Sequence, residues 1–367
     1  MRALITCGGT GGHIFPAIAL AQELKQKGCA DSVFIIDKSY STRSMIKKAG
    51  FNYHVLGVPK MPYGISIGWF IFLAQLIKAR FDVEPIITRV NPDIAVGFGA
   101  YISGPVIQAA ATMGIKTLIH EQNASFGRAN RILFKSVDRV CLSFADSAMK
   151  KSAKCILTGN PVRREMIDGF KMTTKQEALS ALKFSGSRKT LLVIGGSSGA
   201  SSINKAVSDM VEILNDKEKD LIQIAHITGH RDIEKVEQAY RVNKIVHWVR
   251  GFYDNMPLCY KAADLVLCRA GATTISEIAF FGIPAVLIPY PWAGCHQTEN
   301  ALSLARAGAA VVLVEKELSS NRLKKEIFSI INNEKEIKQM INNMRLFSKP
   351  DAASMLARQV MELADVE

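Results

Sequence analysis

The sequence predicts an α/β protein with two Rossmann-like parallel-sheet domains that face a shared cleft. Three observations carry that expectation. Short aliphatic or β-branched runs alternate with helical patterns along the chain, the arrangement of parallel strands flanked by helices. The length of 367 residues exceeds one typical core and suits two of roughly 150–200 residues. A glycine-rich turn between a short apolar strand and a helix also occurs once in each half, at Cys7-Gly8-Gly9-Thr10-Gly11-Gly12-His13 and at Gly195-Gly196-Ser197-Ser198-Gly199. Glycines let the backbone turn sharply and approach a ligand, leaving helix-terminal N–H groups for anionic or polar oxygens.

Taken in order, the first half offers strands at Ala3–Thr6, Val33–Ile36, Tyr53–Leu56, Ile94–Val96, Thr117–Ile119, Arg139–Leu142 and Cys155–Leu157. The first glycine turn leads into a helical pattern over Pro16–Leu24. A break falls at Gly159-Asn160-Pro161-Val162-Arg163, where Pro161 cannot continue a strand, and sets domains at 1–162 and 163–343. The second half offers strands at Leu191–Ile194, Ile222–His226, Lys244–Trp248, Leu265–Leu267, Ala285–Ile288 and Ala310–Leu313, with a helix over Ala200–Leu214. From Asn321 the chain reads as helical to its end, with Pro350 starting the last helix.

The segment Pro62–Ile77 departs from this alternation. As a helix it places Trp69, Phe70, Leu73, Leu76 and Ile77 on one face, with Lys78 and Arg80 following. Two readings fit: a buried core helix, or an apolar patch with basic neighbours lying in an anionic membrane interface. Residues 1–163 hold 20 Lys and Arg against 9 Asp and Glu, while residues 164–367 hold 26 against 24, so nearly all of the net charge of +13 sits in the first half. That excess suits an anionic membrane surface, a phosphorylated substrate or simply a soluble surface. No RNP, zinc-finger or helix-turn-helix signature points to nucleic acid.

An apolar content of 48% with 22% charged residues is that of an ordinary globular chain. No run reaches the roughly 18–20 apolar residues of a membrane span, and Met1 opens no signal segment, so a cytoplasmic location is expected. Seven cysteines without a Cys-x-x-Cys pair read as reduced and structural.

Neither glycine turn fits Gly-x-Gly-x-x-Gly, and no Gly-x4-Gly-Lys-[Ser/Thr] occurs, so a dinucleotide or P-loop site is not indicated, although Asp37 ends the second strand where a ribose carboxylate would stand. The densest constellation is Arg269-Ala270-Gly271-Ala272-Thr273-Thr274-Ile275-Ser276-Glu277. Gly271 allows a turn and Thr273 or Thr274 can cap the helix, whose N-terminal N–H groups suit a diphosphate. Glu277, one turn further in, can accept both hydroxyls of a ribose. His296-Gln297-Thr298-Glu299-Asn300-Ala301 opens another helix with amide side chains suited to sugar hydroxyls.

Gly8–Ala17 resembles the amino-terminal signature of the MurG family, the bacterial lipid II-forming N-acetylglucosaminyltransferases of glycosyltransferase family 28. Further blocks match in the family's order: Gly99–Pro105, His120-Glu121-Gln122-Asn123-Ala124, Gly159–Arg163, Gly195-Gly196-Ser197, Arg269–Glu277 and His296–Ala301. The resemblance implies a GT-B fold whose last helix, here 344–367, returns to the first domain. It implies transfer of GlcNAc from UDP-GlcNAc to the C4 hydroxyl of MurNAc in lipid I, with anomeric inversion, by a peripheral protein at the cytoplasmic face of the cell membrane. Carried over by position, donor contacts fall on Thr10, Gly11, Gly12, Asn123, Arg163, Ser197, Tyr253 (through its backbone, against the uracil), Ala272, Thr273, Thr274, Ile275, Ser276, Glu277, Gln297 and Asn300. Arg163 and Ser197 would meet the diphosphate, Glu277 the ribose, and Gln297 and Asn300 the GlcNAc. The first glycine loop with His13 and the turn bearing Tyr101, Ser103 and Gly104 would take the acceptor. Two positions depart from the family: Ser198 replaces its usual Gln, and Asp37-Lys38 its Gly-Thr.

Inversion requires one in-line displacement, a base for the acceptor proton and stabilisation of departing UDP. The chain has no Asp-x-Asp pair to chelate a metal, and in His226-x3-His230 the intervening Gly229 favours a strand-to-helix turn, so neither metal nor cofactor is expected. His13 is the first candidate for the base, with loop ordering or phosphate binding as its alternative roles, and Glu121 is the second. Competing functions are another GT-B transferase, a UDP-GlcNAc 2-epimerase and a non-catalytic nucleotide-sugar binding protein of the wall-synthesis machinery.

Overall fold

The computed structural model describes residues 1–28, 31–59, 68–147, 151–196, 199–291 and 296–365, with the backbone alone at 68 and 69. The chain forms two compact units, Met1–Arg163 with Lys349–Glu367, and Arg164–Ser348.

The first unit holds β1 (Arg2–Cys7), β2 (Asp31–Ile36), β3 (Asn52–Val55), β4 (Ile94–Gly97), β5 (Lys116–Glu121), β6 (Arg139–Leu142) and β7 (Cys155–Leu157). They pair in parallel in the order β3-β2-β1-β4-β5-β6-β7. The central strands are buried on both faces, which is why they read as unbroken apolar runs such as Leu4–Ile5 and Phe34–Ile36. The second unit holds β8 (Lys189–Ile194), β9 (Ile222–Ile227), β10 (His247–Arg250), β11 (Leu265–Cys268), β12 (Ala285–Leu287) and β13 (Ala310–Val312), parallel in the order β10-β9-β8-β11-β12-β13.

Twelve of these thirteen strands lie within a residue or two of where the sequence predicts them. β10 begins later than expected, because Lys244 and Ile245 finish the preceding helix Ile233–Val242. Lys244 is left-handed at φ 56, and the N–H groups of Lys244 and Ile245 donate back to Arg241 O and Tyr240 O. Pro350 likewise precedes the last helix, Ala352–Leu363, whose cap is Asp351.

The core reading of the apolar segment is corrected by the helix Gly68–Val90. Its buried side runs along Phe72, Ala79, Val83, Ile87 and Val90, whereas Phe70, Leu73 and Ile77 are 76%, 52% and 59% exposed. The Trp69 side chain lies outside the described residues. No helix among the described residues is long and apolar enough to cross a membrane.

The last helix belongs to the first core. Leu356, Ala357 and Val360 pack fully buried with Ile14, Ala17, Leu20 and Leu24 of the helix Gly11–Gln26, and Arg139 Nη1 donates to Gln359 O at 3.0 Å. Cys141, Cys259 and Cys268 are free, and burial raises each thiol to about 12, so they act as small apolar groups.

Leu356→Ala removes a fully buried side chain from this core and is expected to cost roughly 2–5 kcal/mol in urea unfolding. A loss below about 1 kcal/mol would show that the helix adds nothing to the first unit's stability.

Candidate active site

In parallel sheets ligands bind beyond the carboxyl ends of the strands where strand order reverses, because loops diverge there and leave a crevice. The first unit reverses between β1 and β4, and the second between β8 and β11. Both glycine turns follow a strand at these points.

In the first unit the glycine loop after β1 leads into the helix Gly11–Gln26, capped by Thr10 without a side-chain hydrogen bond. Thr10 is exposed and Gly11 and Gly12 are half-buried. Asp37, at the end of β2, accepts from Gly9 N at 2.7 Å and from Ser39 N at 3.0 Å. A Cβ on Gly8 would stand 2.8 Å from Asp37 Oδ2, so any side chain there would displace the carboxylate that holds the loop. Asp37 is thus committed to ordering the loop rather than placed for a ribose.

His13 is half-buried on the first turn of that helix, its ring against Gly99, and its Nδ1 lies 3.0 Å from Gln122 Oε1. Glu121 ends β5 and is almost fully buried. Its Oε1 accepts from Asn123 N at 3.0 Å and Asn123 Nδ2 at 3.1 Å, and its Oε2 from Gly127 N and Asn130 Nδ2, both at 2.9 Å. Four N–H donors therefore satisfy this buried carboxylate and hold the loop 122–127 around it.

Arg163 places its guanidinium 3.9 Å from the centre of the Phe15 ring, and that ring packs against Gly11, so the arginine stands beside the first glycine loop. On the helix Ala100–Thr112, Tyr101 is 42% exposed, edge-on to Phe72. Tyr101 and Gly104 line an apolar groove of about 300 Å³ with Phe72, Leu73, Ile77 and Arg80. Ser103 is fully buried and its hydroxyl donates to Gly99 O one turn back, within its own helix turn.

In the second unit the turn after β8 leads into the helix Ser201–Glu212. Ser197 and Ser198 lie outside the described residues. Gly199 has φ +77, and a Cβ there would come within 2.3 Å of Thr228 O, so the turn closes onto the loop after β9 only with glycine. A buried network braces that contact. Because Asn204 Oδ1 only accepts, His226 Nε2 donates to it at 3.0 Å, and His226 Nδ1 accepts from Tyr240 Oη at 2.7 Å. Asn204 Nδ2 donates to Thr228 O and to Asp232 Oδ2, both at 2.8 Å, and Ser201 Oγ donates to Asp232 Oδ2 at 2.7 Å. The strand-to-helix turn expected between His226 and His230 is therefore present, and His226 is committed to the network.

After β11 the helix Ala272–Phe281 begins. The expected threonine cap is corrected: Gly271 is the cap, without a side-chain hydrogen bond, and Thr273 and Thr274 stand inside the first turn, too late to cap. Glu277 is buried and its Oε2 accepts from Tyr260 Oη at 3.0 Å. Arg269 binds both oxygens of Glu315 at 2.9 Å and also donates to Ser202 Oγ at 3.0 Å. This fork ties the loop after β11 to the helix Ser201–Glu212 and to the turn at Glu315, and the Arg269 hydrogen bonds hold the Glu315 carboxyl below its usual range.

Ala272 and Ile275 are buried, while Ser276 is half-buried with Oγ on Ala272 O at 2.9 Å. Gln297 is half-buried and its Oε1 accepts from Tyr290 N at 2.9 Å. Asn300 is fully buried and Nδ2 donates to Ala270 O at 3.1 Å. Tyr253, half-buried after β10, stacks edge-on against Trp248 at 4.8 Å. Among the described residues no group of three or more His, Cys, Asp or Glu side chains is arranged to hold a metal ion.

The sequence reading assigned no role to Gln122, Asn130, Tyr260 or Glu315. Gln122 lies inside a quoted motif, and the signal for it and Asn130 was a carboxylate at a buried strand end, which must find donors close by.

Two parallel sheets, each with a glycine turn at its reversal, give the chain a GT-B architecture of two Rossmann-like units, and comparison with known proteins specifies the family. The N-terminal domain model of glycosyltransferase family 28 matches residues 3–142, and its C-terminal domain model matches residues 190–356. A relative from Halothermothrix orenii, named UDP-N-acetylglucosamine–N-acetylmuramyl-(pentapeptide) pyrophosphoryl-undecaprenol N-acetylglucosamine transferase, is 37% identical over 99% of each chain. A relative of the same name from Syntrophus aciditrophicus is 40% identical over 93% of this chain and 92% of its own. The crystal structure of Acinetobacter baumannii MurG superposes with a TM-score of 0.78 at 25% identity, covering 98% of this chain and 99% of that one. The chain belongs to glycosyltransferase family 28.

Burial lowers the pKa of His226 to about 3, and burial foremost lowers that of His120 to about 4. The unfolded chain accepts protons on these groups below about 6.5 and the folded state does not. Their contribution to stability is therefore complete above that pH and declines as pH falls toward about 4 and about 3. His226→Gln is expected to flatten the decline in unfolding free energy between about pH 6 and 4 by about 1.4 kcal/mol per pH unit. An unchanged slope would mean that native His226 already carries a proton.

Proposed function

We propose that the protein transfers N-acetylglucosamine from UDP-GlcNAc to the C4 hydroxyl of MurNAc in undecaprenyl-pyrophosphoryl-MurNAc-pentapeptide, converting lipid I to lipid II with inversion. The observation that carries this reading is likeness along the whole chain, 37% identity over 99% of both sequences, to a transferase named for these substrates.

In this reading the second unit takes the donor. The N-terminal N–H groups of Ala272, Thr273 and Thr274 and the backbone at Gly195 and Gly196 face the diphosphate, where helix dipole and amides stabilise the charge on departing UDP. Glu277, steadied by Tyr260, meets the ribose, the Tyr253 backbone meets the uracil, and Gln297 meets the sugar. Asn300 acts by holding the loop carbonyl of Ala270, and Arg269 by clamping that loop to Ser202. No resident cofactor enters this scheme.

The first unit takes the acceptor. Its glycine loop presents amides to the acceptor diphosphate, and Arg163, beside that loop, is the cation for the donor diphosphate. His13 accepts the proton of the C4 hydroxyl as the hydroxyl oxygen attacks the anomeric carbon and the bond to UDP breaks. Glu121, with both oxygens on loop N–H groups, shapes the loop that carries Asn123. The groove beside Tyr101 and Gly104 suits the first apolar units of a prenyl chain. The exposed Phe70, Leu73 and Ile77, with Lys78 and Arg80 on the same helix, suit the anionic cytoplasmic face of the membrane.

UDP release from UDP-GlcNAc tests the reaction. Release is expected only with a lipid I analogue, and His13→Ala is expected to lower kcat by roughly 10²–10⁴. Release without acceptor, or conversion of the donor to its C2 epimer, would overturn the assignment.

The membrane contact has a separate test. Replacing Phe70, Leu73 and Ile77 together by Ser is expected to reduce co-sedimentation with anionic vesicles at least about tenfold while leaving thermal stability within a few degrees, because all three are exposed. Undiminished binding would rule this face out.

A further inference from the structure

A single row of hydrogen bonds runs inward from His13. His13 Nδ1 lies 3.0 Å from Gln122 Oε1, Gln122 Nε2 lies 3.1 Å from His120 Nδ1, and His120 Nε2 lies 3.0 Å from Gly159 O. The inner end decides its direction. Gly159 O is a carbonyl and only accepts, so His120 Nε2 carries a hydrogen. His120 is fully buried beside Phe98 and stays neutral, which leaves a lone pair on Nδ1. That lone pair accepts from the Gln122 amide, whose nitrogen also donates to His120 O at 3.1 Å. The amide oxygen must then face His13, and His13 Nδ1 must donate to it.

We propose that Gln122 and His120 are positioning residues that hold His13 as its Nδ1–H tautomer, leaving the basic lone pair on Nε2. This rests on the reading that His13 accepts the acceptor proton. Serine hydrolases orient their histidine with a carboxylate. Here a neutral amide does so, without the negative charge that would favour the imidazolium. Of the ionisable groups on the surrounding elements, Asp37 is on Gly9 N and Ser39 N, Glu121 on Asn123, Gly127 and Asn130, Arg163 on the Phe15 ring, and Lys349 packs its stem on Gly159. Glycine at 99 leaves room for the His13 ring, and Gln122, buried to 2% exposure, has little freedom to turn its amide.

The test uses the full-length protein with ¹⁵N-labelled histidine, together with steady-state kinetics. In the wild type above about pH 8, well above the ordinary histidine range, His13 is expected to show a protonated Nδ1 and an unprotonated Nε2. Gln122→Leu is expected to give a mixture of tautomers and to lower kcat about 10- to 100-fold, with KM for UDP-GlcNAc within about twofold. Gln122→Glu keeps an acceptor for Nδ1–H and adds charge. It is expected to retain the tautomer and to move the acid limb of the kcat profile up by about one pH unit, with activity recovering at alkaline pH. Should Gln122→Leu fail to fold, the wild-type spectrum and Gln122→Glu still decide. An Nε2–H tautomer in the wild type, or an unmoved acid limb in Gln122→Glu, overturns the relay. Full kcat in His13→Ala would instead overturn the base reading beneath it.

Discussion

Each unit depends on a strand that ends in glycine beside a reversal of strand order. Parallel strands send their connections to opposite faces on either side of such a reversal, so the backbone there is left uncovered, with amide hydrogens pointing outward. At Gly8 the space that a Cβ would need is filled by the Asp37 carboxylate, and at Gly199 by the Thr228 carbonyl. Any other residue at either point would push the loop away from the neighbour that fixes it. The glycines therefore serve the close packing of each loop against its neighbour.

Backbone loops of this kind need internal support, and both units supply it with buried polar rows. His226 joins Tyr240 to Asn204, and Asn204 joins Thr228 to Asp232, so one imidazole links three elements behind the second glycine turn. Around the first turn Glu121 gathers four N–H donors while Asp37 gathers two. The Arg269–Glu315 fork adds a charged version of the same device on the second unit. Buried polar groups that find all their partners define one arrangement, since any slip leaves a desolvated donor or acceptor.

Strand positions were legible because the central strands are apolar on both faces, and a run of Val, Ile and Leu between turns has few other homes in an α/β chain. The Lys244 region was not, since a lysine taking φ 56 leaves no mark in hydrophobic patterning. The site was legible as motifs but not as roles. Ser103, Asn300 and Glu121 are residue types that suit ligand contact, yet the structure places their side chains on neighbouring backbone or loop groups. A motif lists what a site needs to exist, and part of that need is the bracing of its own loops. The threonines at 273 and 274 misled for a simpler reason: a capping residue is recognised by its position relative to the first helical turn, and the cap, Gly271, lies two residues before the first of them.

The apolar helix gains its meaning from the same kind of reasoning. An isolated exposed phenylalanine needs no explanation, but Phe70, Ile71, Leu73, Ile77 and Phe81 are all exposed on one helix, whose opposite side closes over a core. The buried side follows Phe72, Ala79, Val83 and Ile87 and packs against the helix Ala100–Thr112, whereas Phe70 and Phe81 are left outside. A chain selected only for stability would gain by exchanging these positions for polar ones. Their groove runs to Tyr101 and Gly104, the positions proposed for the acceptor, with Arg80 and Arg128 also lining it. A substrate that carries a long prenyl chain beneath a diphosphate offers this surface both an apolar tail and an anionic head. Under the proposed function the polar chemistry and the apolar patch would answer to one molecule.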